Sequence, residues 1–183
     1  MEILLPKNKF KLVFSIFILF SGLAACSQQS DKSKSPPKNV NEELIKANQS
    51  RIEVESERIE GFINRRGWKM EKTGTGLRYM ISQKGKGPKA KDGEVVKVNF
   101  KVSLLDGTVC YSSDEVGPQE FLIGMDNVES GLHEGILFLN QGAKATFILP
   151  SHLAHGLTGD QNKIPGNASI VYDIEILEIK WEM

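Results

Sequence analysis

The sequence predicts an α+β fold, in which an antiparallel sheet packs on a single short helix and a longer helix precedes the sheet. Alternating apolar and polar residues, typical of strands with one buried face, dominate the second half of the chain. Helical spacing recurs there in one short segment, 130–140, where Leu132, Ile136 and Leu139 share a face. Strands gathered around one helix in this order favour an antiparallel sheet packed on that helix.

The composition is that of an ordinary globular protein, and it excludes several functional classes. Of the 183 residues 40% are hydrophobic, and 23 basic residues balance 23 acidic ones. A net charge of zero argues against a strongly basic nucleic-acid-binding protein. Two cysteines cannot build a disulfide-stapled miniature domain or a four-cysteine zinc site, and we expect neither a metal nor a cofactor.

The first 25 residues have the layout of a secretory signal peptide. A start with three lysines precedes the uncharged residues 12–25, and Cys26 follows them. Residues 23–26, Leu-Ala-Ala-Cys, resemble the bacterial lipobox, in which the cysteine is lipidated and becomes the first residue of the mature protein. We therefore expect a lipid anchor at Cys26, with a short membrane anchor that stays attached as the alternative. Ser27 favours the outer membrane, by resemblance to lipoprotein sorting rules.

Two segments connect this cysteine to the region of predicted strands. Residues 26–39 are rich in serine and proline and hold little apolar surface, which predicts a flexible tether. Residues 40–67 predict an N-terminal helix, because Ile45, Ile52 and Ile59 recur every seven residues and form one apolar seam. Such a helix either packs on its own domain or serves as a homodimer contact or partner-docking arm, and the pattern leaves both open.

The main domain is predicted over residues 68–183. A tight-turn signal at 106–107 joins two of its strands into a hairpin, and a long loop occupies 151–167. The predicted strands cover 77–81, 96–104, 108–111, 121–123, 143–149 and 169–179.

Eight sequence blocks between Gly76 and Ile179 carry a family pattern. The blocks are Val-Asn-Phe (98–100) leading to Leu-Asp-Gly (105–107), Tyr-Ser-Ser (111–113), Phe-Leu-Ile-Gly (121–124), Gly-Leu-His-Glu-Gly-Ile (131–136), Gln-Gly-Ala-Lys-Ala (141–145), Leu-Pro-Ser-His-Leu-Ala-His-Gly (149–156), Ile-Pro-Gly-Asn-Ala (164–168) and Ile-Val-Tyr-Asp-Ile-Glu-Ile-Leu (170–177). In sequence and in order, they resemble the FKBP-type peptidyl-prolyl cis-trans isomerases. The lipobox followed by a helix further resembles the gliding-motility-associated isomerase lipoproteins.

This resemblance implies a fold and an activity. The fold is an FKBP-like twisted antiparallel sheet wrapped over one short α-helix, with an apolar pocket between them. The activity is peptidyl-prolyl isomerisation of X-Pro bonds in exported or envelope proteins, which assists their folding. We expect proline-containing polypeptides as partners, no nucleic acid, and a location at the periplasmic side of the outer membrane. The alternative is a catalytically weak or inactive proline-binding chaperone or assembly lipoprotein.

Carried over residue by residue, the resemblance also implies the site. At Val128 and Glu129 the implied groups are the backbone N–H donors that would bind a substrate carbonyl. The implied catalytic residues are Phe100, Tyr111, Phe121 and His155, and the implied substrate-binding residues are Cys110, Val128, Glu129, Leu132, Ile164 and Tyr172.

Several of these residues depart from the family pattern. Tyr111 stands where the family has its pocket aspartate, and Cys110 stands in place of a phenylalanine. Leu132 replaces a tryptophan, while Phe100 and His155 each replace a tyrosine. Because the missing aspartate is the one charged group that orients the substrate, the substitutions predict a weaker or altered isomerase.

Overall fold

The structure, a computed structural model, describes residues 38–181. The predicted signal peptide, the lipidation site Cys26 and the tether up to residue 37 lie outside the described residues. Within 38–181, no helix combines the length and the apolar character needed to cross a membrane.

Helix α1 spans Lys38–Arg66 and begins two residues earlier than the sequence predicts. Its last turns pack on the domain, because Phe62 and Ile63 are buried and form one cluster with Ile148 and Val171 of the sheet. For this part of the helix, packing on its own domain is the arrangement that the structure shows.

The upstream part of α1 leaves its apolar side chains in solvent. Leu44, Ile45 and Ile52 are 57%, 56% and 55% exposed, whereas Ile59 in the same seam is fully buried. The seam predicted from the seven-residue spacing is therefore covered at one end only. A dimer or docking contact through the uncovered end stays a prediction.

Polar contacts also fix α1 to the domain. The guanidinium of Arg78 is 3% exposed and donates to a carboxylate oxygen of Glu60 at 2.9 Å and to the hydroxyl of Ser56 at 2.7 Å. Next to Ser56, the Glu55 carboxylate accepts from the backbone N–H of Ser151 at 2.6 Å and from its hydroxyl at 3.0 Å. Both contacts satisfy groups that burial would otherwise leave without water.

Seven strands form one antiparallel sheet, which confirms the predicted α+β class. The strands are β1 (Glu71–Lys72), β2 (Arg78–Gln83), β3 (Glu94–Leu104), β4 (Val109–Ser112), β5 (Gln119–Leu122), β6 (Lys144–Leu149) and β7 (Ile170–Trp181). Across the sheet the order is β1-β2-β6-β7-β3-β4, and β5 pairs with the first part of β3. The long strand β3 pairs with β7 along its whole length, while β5 and β4 share its other edge.

Three short helical segments complete the fold: α2 (Ser113–Val116), α3 (Ser130–Ile136) and a 3-10 turn over Ser151–Leu153. Helix α3 ends earlier than the predicted 130–140, because the following residues form tight turns with i to i+3 hydrogen bonds, such as Leu139 N–H to the Ile136 carbonyl at 2.9 Å. Strand β1, helix α2 and the 3-10 turn were not predicted, since segments of two to four residues are too short to show a periodic pattern.

Strands β6 and β7 are buried on both faces of the sheet. Phe147 and Tyr172 belong to the main core on the face that carries α3, whereas Ile148 and Val171 lie under α1. Covering both faces explains why five consecutive residues of β6 are buried, rather than every second residue.

Two glycines let α3 lie directly against β6. A Cβ atom at Gly131 would come within 2.7 Å of the Leu149 side chain, and one at Gly135 within 2.6 Å of the Phe147 ring. Side chains at these positions would push the helix away from the sheet, so the glycines set the distance between the two layers.

Substituting Gly135→Ala should destabilise the protein by about 1–3 kcal/mol, because the new methyl group overpacks the core against Phe147. The gain of up to about 1 kcal/mol that alanine brings to a helix is too small to offset this clash. Urea denaturation measures the difference. As a control, Gly74→Ala places its methyl group in open space and should leave the free energy of unfolding unchanged. Equal free energies of unfolding for the two variants would contradict the close packing of α3 on β6.

Candidate active site

A cavity of about 160 Å³ lies between the start of α3 and the sheet. Its walls are mostly apolar and aromatic, and they come from β3, β5, β7 and the segment that leads into α3. The lining residues are Val98, Phe100, Gln119, Glu120, Phe121, Val128, Glu129, Leu132 and Tyr172. A wider groove of about 580 Å³ runs beside α1, but none of its lining residues is aromatic.

Strand pairing brings the aromatic walls together. Phe100 on β3 lies opposite Ile174 on β7, and two residues further along Val102 lies opposite Tyr172. The rings of Phe100 and Tyr172 therefore meet on one face of the sheet, with centroids 6.4 Å apart. Phe121 on β5 is 5% exposed. Three rings on three strands thus surround a space that helix α3 closes.

A carboxylate stands among these apolar walls. Glu129 accepts from the hydroxyl of Tyr172, with 3.0 Å to each carboxylate oxygen, and its Oε1 atom lies 2.9 Å from Nε2 of His155. Burial, and then the negative charge of Glu129, raises the pKa of Tyr172 well above its ordinary value. The Tyr172 hydroxyl consequently keeps its proton and acts as a donor to Glu129.

The segment before α3 is held in place by His133. The Nδ1 atom of His133 accepts from the N–H of Gly124 at 2.9 Å, and its Nε2 atom donates to the carbonyl of Asp126 at 3.0 Å. The same carbonyl accepts from the N–H of Val128 at 2.9 Å. The Val128 N–H is thus engaged, whereas the described residues offer no hydrogen-bond partner to the N–H of Glu129. Of the two predicted backbone donors, Glu129 is the one that remains for a substrate carbonyl.

The structure brings together most of the predicted site residues. Phe100, Phe121, Val128, Glu129, Leu132 and Tyr172 all line the cavity, and His155 joins them through Glu129. The Nε2 atom of His155, a residue predicted to be catalytic, lies 2.9 Å from a carboxylate oxygen of Glu129. The roles of these residues in binding and catalysis stay predictions.

Three predicted residues lie elsewhere. Cys110 is 1% exposed with Sγ facing the carbonyl of Lys163 at 3.7 Å, and burial raises the pKa of its thiol. The hydroxyl of Tyr111 donates to Asp160, and the buried Ile164 donates its N–H to the same carboxylate at 2.8 Å. Strand β4 and the long loop before β7 are joined here, outside the cavity lining, so Tyr111 anchors the loop through Asp160. The predicted site roles of these three residues stay predictions.

The side-chain role of Glu129 was missed by sequence reasoning, which assigned only its backbone N–H to the site. Glu129, His155 and Tyr172 are separated by 26 and 17 residues, so no motif spacing links them. Their meeting depends on the loop after β6 folding back to the start of α3. Val98 and Glu120 also line the cavity without having been predicted, because alternation along a strand does not tell which face bears a site.

The fold is an antiparallel sheet wrapped over a short helix, with an aromatic cavity between them, and known proteins share this arrangement. Residues 87–177 match the family described as FKBP-type peptidyl-prolyl cis-trans isomerase. Among solved structures, FkpA from Escherichia coli is 30% identical with a TM-score of 0.62, covering 82% of this chain and 76% of that one. AtFKBP13 is 30% identical with a TM-score of 0.58, covering 60% of this chain and 98% of that one.

The chain therefore belongs to the FKBP-type peptidyl-prolyl cis-trans isomerase family. A curated relative from Neisseria meningitidis, a probable FKBP-type peptidyl-prolyl cis-trans isomerase FkpA, is 32% identical over 138 residues, which are 74% of this chain and 50% of the relative. FkpA from Aeromonas hydrophila is 38% identical over 112 residues, which are 61% of this chain and 41% of the relative. The chain thus spans half or less of the length of these curated relatives.

The anchoring role of Tyr111 can be tested through the titration of Asp160. Burial pushes the pKa of Asp160 up, but hydrogen bonds from Tyr111 and from nearby backbone N–H groups outweigh burial and lower it to about 2. A lowered pKa in the folded state stabilises the fold above about pH 4, and that contribution is lost as the pH falls through about 2. Replacing Tyr111→Phe removes one donor and should move the pKa of Asp160 towards the ordinary value of about 3.9.

Carboxyl-detected NMR titration measures this shift. Tyr79→Phe is the matched control, because it removes a phenol hydroxyl that donates to a different carboxylate, Glu71. Titration of Asp160 near pH 2 in both variants would show that Tyr111 does not hold the loop.

Proposed function

We propose that this chain catalyses cis/trans isomerisation of X-Pro bonds in polypeptides of the cell envelope. The observation that carries the proposal is the cavity walled by Phe100, Phe121 and Tyr172 at the start of α3. At about 160 Å³ it is smaller than the ~300–1,000 Å³ of typical small-molecule pockets, which suits a single side chain such as a proline ring.

The reaction fits such a site. Rotation about an X-Pro bond crosses a barrier of about 18–20 kcal/mol without breaking a covalent bond. Catalysis therefore requires that the twisted amide be bound better than the planar one. Apolar walls exclude the water that solvates the planar amide, and a fixed donor orients a substrate carbonyl.

Each group at the cavity has a distinct role in this proposal. Phe121, Leu132 and Tyr172 hold the proline ring by apolar contact. The free N–H of Glu129 donates to a substrate carbonyl. His155 acts as a positioning residue, since its Nε2 contact at 2.9 Å fixes the Glu129 carboxylate beside the cavity.

The location and assembly belong to the same proposal. A signal peptide over residues 1–25 and a lipid on Cys26 would anchor the domain to the periplasmic side of the outer membrane. The exposed apolar part of α1, around Leu44, Ile45 and Ile52, is suited to a homodimer contact. The resemblance to gliding-motility-associated lipoproteins favours clients from that envelope machinery.

Catalysed isomerisation of a short X-Pro peptide by the purified full chain tests the activity. The wild-type protein should accelerate the reaction, and Phe121→Ala should lower kcat/KM at least about tenfold by removing one wall of the cavity. Phe138→Ala is the matched control. The Phe138 ring stacks on the ring of Tyr79, with centroids 4.7 Å apart, and does not line the cavity.

Circular dichroism of each variant establishes that the measured protein is folded. Normal turnover by Phe121→Ala would remove this cavity as the site. No rate enhancement by folded wild-type protein would reject the isomerase and favour a proline-binding chaperone or assembly lipoprotein.

A further inference from the structure

Glu129 places a carboxylate beside a cavity whose walls are mostly apolar. Its side chain is only 11% exposed, and it borders the same space as Phe121, Val128 and Leu132. A negative charge placed so far from bulk water acts more strongly on an incoming charge than a surface carboxylate does.

Within the described part of the chain, no lysine or arginine forms an ion pair with this carboxylate. The two groups that hold Glu129 are the hydroxyl of Tyr172, a neutral donor, and the imidazole of His155, which carries charge only when protonated. The second carboxylate on the cavity differs, because Glu120 has Lys97 at 3.0 Å and Lys180 at 3.8 Å.

The carboxylate also keeps acceptor capacity that the fold does not use. Two carboxylate oxygens offer about four acceptor positions. The single Tyr172 proton is shared between both oxygens, and His155 contacts Oε1 alone. Oε2 consequently keeps an acceptor position that neither Tyr172 nor His155 uses.

We infer that the side chain of Glu129 determines substrate specificity, favouring polypeptides in which a lysine or arginine is next to the proline and disfavouring those with an acidic residue there. The inference rests on the proposed isomerase function and deepens it. A cationic neighbour would approach an uncompensated, largely buried carboxylate, whereas an acidic neighbour would meet repulsion at the same place.

Peptides that differ only in the residue beside the proline test the inference. One series places lysine, leucine or glutamate immediately before the proline, and a second places them immediately after it. For wild-type full-length protein at low ionic strength and pH 8, we expect kcat/KM for the lysine peptide of at least one series to exceed that for the glutamate peptide about tenfold. Added salt should reduce the ratio.

The variant Glu129→Gln keeps the shape and the acceptor oxygen of the side chain but removes its charge, so the ratio should fall close to one. Glu57→Gln is the matched control, because Glu57 is exposed on α1 and its replacement changes the net charge by the same amount. The ratio of kcat/KM for lysine and glutamate peptides separates a specificity role from a structural one. If Glu129 were only structural, Glu129→Gln would lower kcat/KM for every peptide by the same factor and leave the ratio unchanged.

Equal kcat/KM for lysine and glutamate peptides, or an unchanged ratio in Glu129→Gln, would overturn the inference. Absence of turnover with every peptide would reject the proposed isomerase, and binding of the same peptides would then decide the inference. Tighter binding of lysine peptides that is lost in Glu129→Gln would support it, and equal affinities would overturn it.

Discussion

The close approach of helix α3 to strand β6 is the constraint on which the rest of the site depends. Gly131 and Gly135 place no side chain between the helix and the Leu149 and Phe147 side chains of β6, so the helix lies directly on the sheet. That contact fixes the start of α3, which supplies Val128, Glu129 and Leu132 to the cavity. A short helix has little stability of its own, so its position is set by packing.

The polar chemistry of the cavity is built by tertiary contacts of Glu129. This residue joins the start of α3 to β7 through Tyr172, and to the loop after β6 through His155. The family resemblance implies an aspartate at position 111, where this chain has Tyr111, and Glu129 is a carboxylate that lines the cavity. Tyr111 ties β4 to the long loop through Asp160.

Much of the fold could be predicted because strand alternation and turn residues act locally. Alternation predicted β3 and β7, and helical spacing predicted α1 and the position of α3. The half-covered seam of α1 could not be predicted, since Ile52 and Ile59 have the same spacing and differ only in what lies against them. The contact between Glu129 and His155 depends on how a loop folds back, which no local pattern records. The family resemblance implied ten site residues, and the geometry brings six of them to the wall of one cavity.

The central claim is that proline-containing polypeptides bind in the cavity at the start of α3. The most direct measurement is the structure, or the NMR chemical-shift map, of the full chain with a bound X-Pro peptide. The account predicts that the proline ring contacts Phe121, Leu132 and Tyr172, with a peptide carbonyl at the N–H of Glu129. Binding confined to the wider groove beside α1, near Val54, would contradict it.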